Sequence, residues 1–234
     1  MDNKSLEGKW FNYFCNMRHK YNMRISAKKP LVIFLDAKDS SKYKRNLMKG
    51  YENDFFDCMC KTAKYFTQKY NCVSIWGTDE ISFIIDDVDT FIDSINNDKT
   101  FRSHDVVSVF SQYFFEYFNS VYKSGPVYWH CKCFNISPEK KMSYIKFKSH
   151  GLLKGITSNF LKQNGVKNAA RIRLDEKLKM CEEYENFSSI SDYKYGVLYL
   201  NGQKIDVNDY FDGKITVLDE TNNSYEVLDL MDFE

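Results

Sequence analysis

The sequence predicts an α+β fold in which helices pack against an antiparallel sheet. Three observations lead to this prediction: a continuous apolar run at 31–37, two β-rich runs that flank a polar triplet at 78–80, and two long segments with helical spacing of apolar residues. Aromatic residues make up 17% of the 234 residues, and the chain has only 3 Pro and 10 Gly. This composition excludes the disordered and collagen-like classes, which lack large apolar side chains or are rich in Gly and Pro.

The predicted elements follow one another in a simple order. LVIFLDA (31–37) is an apolar run that ends in an acid, which is typical of a buried strand. Apolar side chains recur at every third or fourth position over 51–70, which predicts a helix. CVSIWG and ISFIID, on either side of 78–80, predict a hairpin. A second helix at 103–122 and a fourth strand at 127–136 complete the order β-α-β-β-α-β, the ferredoxin-like split βαβ motif.

The remaining segments carry weaker signals. A short amphipathic helix is predicted near residues 10–17, and the charged segment 86–102 is predicted to be a loop. We expect two domains: residues 1–140, which contain the ferredoxin-like unit and the N-terminal helix, and residues 141–234, a helical and β extension packed on it. After Pro138 the pattern predicts, in order, helices at about 139–149, 152–164 and 169–185 and short strands near 195–200 and 214–218.

The charge balance limits how the chain could bind nucleic acid. Lys and Arg number 33 against 32 Asp and Glu, a net charge of +1, whereas domains that hold nucleic acid by bulk charge are usually strongly basic. A nucleic-acid role therefore needs a local basic patch. The loop after the first strand is the best candidate, with Lys42, Lys44, Arg45 and Lys49.

The sequence predicts a cytoplasmic protein without a membrane span. No apolar run approaches the roughly 18 residues that cross a bilayer, and the N-terminus lacks the pattern of a secretory signal. Seven scattered cysteines are typical of reduced thiols in the cytoplasm. The C-x-C pairs Cys58/Cys60 and Cys131/Cys133 do not have zinc-site spacing, and in a strand His130 would point away from its neighbouring pair.

Three acids follow neighbouring strands of the predicted sheet. Asp36 ends the first strand, and Asp79 and Glu80 lie in the hairpin, so all three would converge at one edge. Concentrated negative charge beside apolar strands is costly unless a cation is bound, and Mg²⁺ takes oxygen ligands of this kind. Spacing alone leaves open that Asp79 and Glu80 are solvated turn residues and that Asp36 is a loop acid or helix cap.

The sequence around these acids resembles a known family. LDAK at 35–38 is similar to L-D-G-R, and GTDEISFII at 77–85 is similar to G-x-S-D-E-x-S-F, both motifs of the tRNA(His) guanylyltransferase family. MKGYENDF at 48–55 resembles the K-P-F-D segment of that family, and RSHDVVSVFS at 102–111 resembles its R-x-x-K-x-x-S-x-x-S helix. The resemblance spans roughly residues 30–165.

The resemblance implies a polymerase-type palm that binds two Mg²⁺ ions and adds nucleotides to the 5′ end of RNA in the 3′-to-5′ direction. ATP or GTP first activates a 5′-monophosphate end, and the 3′-hydroxyl of the incoming nucleotide then attacks the activated phosphate. The implied partners are nucleoside triphosphates and an RNA with a 5′ end, expected to be a tRNA. The resemblance also implies a homo-oligomer, either a dimer or a tetramer.

Site residues are carried over position by position. Asp36, Asp79 and the Ala37 carbonyl would bind the metal ions, and Glu80 would be a further catalytic acid beside Asp36 and Asp79. Positive groups and hydroxyls would surround the triphosphate, because transfer depends on neutralising developing charge. The residues implied to contact nucleotide phosphates are Lys38, Lys49, Arg102, Ser108 and Ser111.

The chain departs from the family pattern at several positions. Ala37 and Lys38 replace the Gly and Arg of L-D-G-R, and Asp105 reverses the charge of the lysine in the R-x-x-K helix. FKSHGLLKG at 147–155 stands where the family has W-R-Q-x-D-x-x-x-N. These changes favour a divergent repair polymerase that acts on truncated tRNA or other RNA 5′ ends.

RNA contacts are assigned to basic and aromatic side chains. Tyr43, Tyr51 and Tyr144 are candidates for stacking on bases, although such rings more often pack in the core. The candidate RNA-binding residues are Lys42, Lys44, Arg45, Lys148 and His150.

Two other classes of function stay open. A palm-type nucleotide cyclase or oligonucleotide-signal synthase would share the carboxylates without needing an RNA end. A non-catalytic nucleotide- or RNA-binding protein on the same fold would be compatible with Asp105 and with the loss of the W-R-Q segment.

Overall fold

The first part of the chain folds in the predicted order. The computed structural model describes residues 13–14, 24–39, 54–95, 102–187, 194–218 and 225–229. Within them the order β-α-β-β-α-β is confirmed, with one additional short helix. The elements are β1 (Leu31–Ala37), α1 (Asp54–Lys69), β2 (Val73–Gly77), β3 (Glu80–Ile85), α2 (Val88–Ile95), α3 (Ser103–Val121) and β4 (Trp129–Asn135).

The second part contains a long helix, a shorter one and a series of strands. Single turns of 3₁₀ helix lie at Pro138–Lys140, Ala169–Arg171 and Glu185–Phe187. The other elements are α4 (Lys141–Gln163), α5 (Leu174–Glu182), β5 (Val197–Leu200), β6 (Gln203–Ile205), α6 (Val207–Phe211), β7 (Lys214–Leu218) and β8 (Tyr225–Asp229).

One antiparallel sheet joins both parts. Its strand order is β4-β1-β3-β2-β5-β6-β7-β8, of which the first four are the ferredoxin-like unit. β5 pairs with β2, so the C-terminal strands continue the sheet of the first unit. The predicted α+β fold, a palm with an antiparallel sheet, is confirmed, while the division into domains at residue 140 stays a prediction.

The two faces of the sheet bury different helices. Leu31, Ile33 and Leu35 belong to a core that includes the apolar faces of α1, α2 and α3. Val32 points the other way, into a core formed with α4, because side chains alternate across a strand. The end of α4 also packs with α5 and the 3₁₀ turns in a smaller cluster. Throughout the part described, no helix combines the length and apolar character needed to cross a bilayer.

Three predicted boundaries are wrong. The charged segment predicted as a loop contains α2, because Val88, Phe91, Ile92 and Ile95 have the i, i+3, i+4, i+7 spacing that buries one helix face. The predicted break near residue 150 does not exist, since α4 continues through Gly151. The predicted helix at 169–185 is shorter, a 3₁₀ turn followed by α5. Residues 13 and 14 are helical, and the rest of the predicted N-terminal helix lies outside the described residues.

Two glycines allow α4 to lie close to the sheet. A Cβ added to Gly77 would lie 2.9 Å from Cδ2 of Leu152, and a Cβ added to Gly196 would lie 2.7 Å from Cδ1 of the same leucine. Gly196 also has a φ of +92°, a conformation that side-chain-bearing residues rarely adopt. The close approach places the middle of α4 over the ends of β2 and β3.

A pair of glycine substitutions tests this packing. Gly196→Ala should lower the free energy of unfolding by about 2 kcal/mol, because the methyl group meets Leu152 and the backbone is strained. Gly155→Ala, inside α4 with nothing within 4 Å of the added atom, should raise it by about 0.5–1 kcal/mol. Urea unfolding measures both values, and equal effects at the two positions would contradict the packing.

Candidate active site

The predicted acids meet where β1 ends. The strand register places Asp36 directly opposite Glu80, and the backbone N–H of Ala37 donates a 2.8 Å hydrogen bond to the carbonyl oxygen of Asp79. The end of β1 is thereby fixed to the β2–β3 hairpin. The structure brings together all four residues that the sequence analysis assigned to the metals and to catalysis.

Asp36 and Glu80 lie on the α4 face of the sheet. Leu35 and Ala37 belong to the opposite core, so the alternation of β1 directs Asp36 toward α4. Its register partner on β4 is His130, which is exposed. Like charges directly opposite each other destabilise a pair of strands. This arrangement therefore requires a positive charge nearby.

Lys148 of α4 supplies that charge. Its ammonium donates a short hydrogen bond to Oε1 of Glu80 and lies 4.3 Å from the centre of the Phe34 ring. The Lys148 side chain is only 3% exposed, and a buried cation is stable only when it is paired. The structure thus places Lys148 in the interior, not on the RNA-facing surface expected from the sequence, and Glu80 has an internal counter-ion.

The turn between β2 and β3 holds Asp79. Thr78 Oγ1 donates a 2.7 Å hydrogen bond to Oδ1 of Asp79, which is buried. Thr78 has a φ of +54°, which is exceptional for a β-branched residue and costs about 1–2 kcal/mol. The family motif has two residues between its glycine and its aspartate, whereas this chain has only Thr78 after Gly77. The turn is therefore tighter than the motif implies, and it is strained.

The acids fit part of a magnesium site. Among the described residues, no group of three or more His, Cys, Asp or Glu side chains is arranged to hold a metal ion. Mg²⁺ in proteins is commonly bound by one or two carboxylates together with substrate phosphates and water. Asp36 and Asp79, on backbone segments joined by a hydrogen bond, fit that requirement. Glu80 is less suited to it, because its carboxylate binds Lys148.

Three predicted phosphate contacts lie elsewhere in the structure. Arg102 precedes α3, which packs on the face of the sheet opposite to Asp36. The first turn of α3 lies beside Cys133 of β4, whose thiol donates to the Ser103 carbonyl, whereas the last turns lie near the end of β1. The predicted contacts Arg102, Ser108 and Ser111 thus lie in or directly before a helix on the sheet face opposite to Asp36. Ser108 is exposed, and the Ser111 hydroxyl donates to the Ser108 carbonyl.

The other predicted contacts divide into three groups. Lys38 is exposed directly after β1, and its backbone N–H donates a 2.7 Å hydrogen bond to the Tyr128 carbonyl oxygen, so the residue lies at the same end of β1 as the acids. His150 is half-buried on α4, and Tyr144 is fully buried with its hydroxyl 2.9 Å from Ser82 Oγ, so its ring packs in the core. The remaining predicted residues lie outside the described residues: Lys42, Tyr43, Lys44, Arg45, Lys49 and Tyr51.

The C-x-C pair of β4 is structural. Burial raises the pKa of Cys133 to about 12 and holds the pKa of Cys131 well above its usual range. Both side chains therefore stay protonated thiols, which are poor metal ligands and poor nucleophiles. The alternation expected from the sequence is confirmed, since both cysteines pack toward the core of α1 to α3.

The internal role of Lys148 had a signal in the sequence. Tyr144, Lys148 and Leu152 recur at intervals of four, and residues at that spacing share one face of a helix. Because that face is apolar, a lysine on it must meet an acid or a ligand. The identity of its partner depends on the sheet register, which the sequence does not show.

Comparisons with known proteins relate this fold to solved structures, although no family model and no curated protein sequence matches the chain. A bacterial tRNA(His) guanylyltransferase-like protein in complex with ATP has a TM-score of 0.60 and 14% identity, over 83% of this chain and 88% of that one. The chain has the tRNA(His) guanylyltransferase fold.

Two further structures share the tRNA(His) guanylyltransferase fold. A bacterial guanylyltransferase-like protein in complex with GTP has a TM-score of 0.58 and 14% identity, over 96% of this chain and 90% of that one. The tRNA(His) guanylyltransferase of Saccharomyces cerevisiae has a TM-score of 0.56 and 15% identity, over 83% of this chain and 94% of that one. The likeness extends over most of each chain.

Removing Lys148 should leave a carboxylate without its counter-ion. Lys148→Met is expected to lower the free energy of unfolding by about 3 kcal/mol, and adding Glu80→Gln should restore at least half of that loss. Lys141→Met is the control, because its 2.6 Å ion pair with Asp86 is exposed and should contribute less than about 1 kcal/mol. Urea unfolding measures the free energy of unfolding of Lys148→Met, Glu80→Gln, their double variant and Lys141→Met. Additive effects of Lys148→Met and Glu80→Gln would contradict the pairing.

Proposed function

We propose that the chain is a Mg²⁺-dependent nucleotidyltransferase that adds nucleotides to the 5′ end of an RNA in the 3′-to-5′ direction. The observation that carries this proposal is the hydrogen bond from Ala37 to Asp79, which holds Asp36 and Asp79 together at one edge of the palm. Two solved proteins of the same fold are complexes with ATP and with GTP, which supports nucleoside triphosphates as the substrates.

The proposed reaction has two transfers. In the first, an oxygen of the RNA 5′-monophosphate attacks the α-phosphorus of ATP or GTP and expels pyrophosphate. In the second, the 3′-hydroxyl of an incoming nucleoside triphosphate attacks the 5′-phosphorus of the RNA, loses its proton, and expels AMP or GMP. The RNA grows by one nucleotide and keeps a triphosphate at its new 5′ end.

The residues at the edge of the palm have distinct parts in this proposal. Asp36 and Asp79 would hold Mg²⁺, and Mg²⁺ when bound would neutralise phosphate charge and activate the attacking oxygen. Thr78 orients the Asp79 carboxylate through its hydrogen bond. Lys38 lies at the exposed end of β1, where its ammonium would contact a phosphate. Lys148 fixes Glu80 and offsets its charge.

The proposed substrate is a tRNA or another RNA with a free 5′ end. The substitution of FKSHGLLKG at 147–155 for the family segment supports a repair role over dedication to tRNA(His). We also propose that the protein acts in the cytoplasm as a homo-oligomer. Buried protonated thiols such as Cys133 are compatible with that compartment.

A second candidate is a nucleotide-binding protein that carries out no transfer. The ion pair between Lys148 and Glu80 favours it, because a cation supplied by the chain occupies an acid that a transferase would use in catalysis. The two candidates differ in turnover and in whether ATP binding depends on Mg²⁺ and on the two acids.

Growth of an RNA at its 5′ end tests the proposal. A 3′-labelled RNA with a 5′-monophosphate, incubated with ATP, GTP and Mg²⁺, should lengthen and release AMP or GMP. Asp36→Asn and Asp79→Asn should each reduce the rate by about 100-fold or more, by analogy with the loss of one preorganised electrostatic group. Asp93→Asn, on the exposed side of α2, is the control and should leave the rate unchanged.

Other outcomes separate the alternatives. Cyclic or short oligonucleotide products formed without RNA would identify a cyclase or oligonucleotide synthase. Binding of ATP that is unaffected by Mg²⁺, by Asp36→Asn and by Asp79→Asn, without any product, would support the binding protein and refute the transferase.

A further inference from the structure

A long segment of the chain contains no acidic residue. Residues 140–173 include nine Lys and Arg and no Asp or Glu. The other 200 residues hold 24 Lys and Arg against 32 Asp and Glu, a net charge of −8. The near-zero total thus conceals one strongly basic segment, which begins at the start of α4 and ends before α5.

Most cations of this segment face solvent without a carboxylate partner. Lys148 is paired internally, and two others have acidic partners, Lys141 with Asp86 and Arg173 with Asp175. In the regions that the structure describes, no acid lies within ion-pair distance of the exposed residues Lys146, Lys154, Lys162, Lys167 and Arg171. A group of unpaired cations of this kind attracts a polyanion.

An open pocket lies at the end of the basic segment. Its volume is about 650 Å³, and it lies between the last turns of α4 and the loop that follows. Among the described residues, its polar lining residues are Lys162, Lys167, Ser158, Asn159 and Asn168, and none of its lining residues carries a carboxylate. The ammonium groups of lysine and the amide groups of asparagine donate hydrogen bonds, which suits a phosphate group. The Ser158 hydroxyl itself donates to the Lys154 carbonyl at 2.6 Å.

A buried lysine supports the wall of this pocket. Lys177 of α5 is 4% exposed, and its ammonium donates a 2.6 Å hydrogen bond to Ser158 Oγ. In the same described regions it has no acidic partner. Burial and, to a smaller extent, the positive charge of Lys154 lower the pKa of Lys177, so the two lysines repel each other. An anion in the pocket would relieve this repulsion.

The direction of α4 connects the pocket to the candidate active site. Lys154, Ser158 and Lys162 recur at intervals of four and therefore share one face of the helix. Lys162 lies 14 residues after Lys148, about 21 Å along the helix axis at 1.5 Å per residue. A chain of phosphates that ends near Glu80 could follow this face to the pocket.

We propose that the pocket at the end of α4 binds a backbone phosphate of the RNA whose 5′ end lies at Asp36 and Asp79. The proposal rests on the proposed function only for the choice of RNA as the polyanion. A concave wall of hydrogen-bond donors fits a single projecting phosphodiester better than the flat surface of an anionic membrane. Binding through phosphates depends on salt and not on base sequence.

RNA affinity as a function of salt tests the proposal. Fluorescence anisotropy with a labelled RNA hairpin is measured on the full chain and on Lys162→Gln/Lys167→Gln, a double variant of two exposed side chains. The double variant should bind five- to tenfold more weakly at 0.1 M salt, and the slope of log affinity against log salt should fall by about 2. The control variant Lys61→Gln/Lys123→Gln also removes two positive charges, but on the face of the sheet opposite to α4. It should change neither the RNA affinity nor the salt slope.

The outcomes distinguish this proposal from the proposed function. Equal affinity and slope for the two double variants would overturn the pocket, and so would an absence of hairpin binding by the unaltered chain. Pocket-dependent binding of phosphatidylserine vesicles in place of RNA would overturn it as well. If Lys162→Gln/Lys167→Gln raises the KM for RNA while kcat and the KM for ATP stay constant, both proposals are supported. If, of the two double variants, only Lys162→Gln/Lys167→Gln loses RNA affinity, and the unaltered chain does not extend the RNA, the pocket proposal is supported and the proposed transferase activity is refuted.

Discussion

Two carboxylates face each other across neighbouring strands, and the rest of the site is arranged around this like-charge pair. Asp36 and Glu80 occupy one register position of β1 and β3, where repulsion would separate the strands if nothing balanced it. Lys148 on α4 balances the charge of Glu80. Its ammonium donates a hydrogen bond to the Glu80 carboxylate and lies over the Phe34 ring. Because the lysine is committed to Glu80, the acids left for an external cation are Asp36 and Asp79.

The position of that lysine depends on backbone packing that involves no charged side chain. Gly77 and Gly196 have no side chains where Leu152 approaches the sheet, and this absence lets α4 lie close to β2. Lys148 is one helical turn before Leu152, so the same contact sets the height of its ammonium above Glu80. Two glycines therefore determine an electrostatic interaction, although neither takes part in it. The strain at Thr78 belongs to the same arrangement, since the tight turn brings Asp79 back toward Ala37.

The sequence predicted the ferredoxin-like unit well because each of its elements has a strong local period. The run at 31–37 and the helix at 103–122 coincide almost fully with β1 and α3. Gly151 suggested a break that α4 does not have, since packing outweighs the small helix cost of one glycine. At the site, spacing identified Asp36, Asp79 and Glu80, but the partner of Glu80 and the distance of Arg102 from the acids depend on which face of the sheet each helix covers.

The distribution of charge along the chain explains how a nearly neutral protein could act on a polyanion. The rest of the chain has a net charge of −8, so residues 140–173 in α4 and the loop after it carry a concentrated positive charge that can attract RNA. Such a distribution disfavours non-specific adsorption and provides a path along which phosphates are stabilised. The start of that path lies on the same helix as Lys148, so the helix that stabilises the acids would also orient the RNA end toward them. One element would then couple the charge balance of the site to the direction from which its substrate arrives.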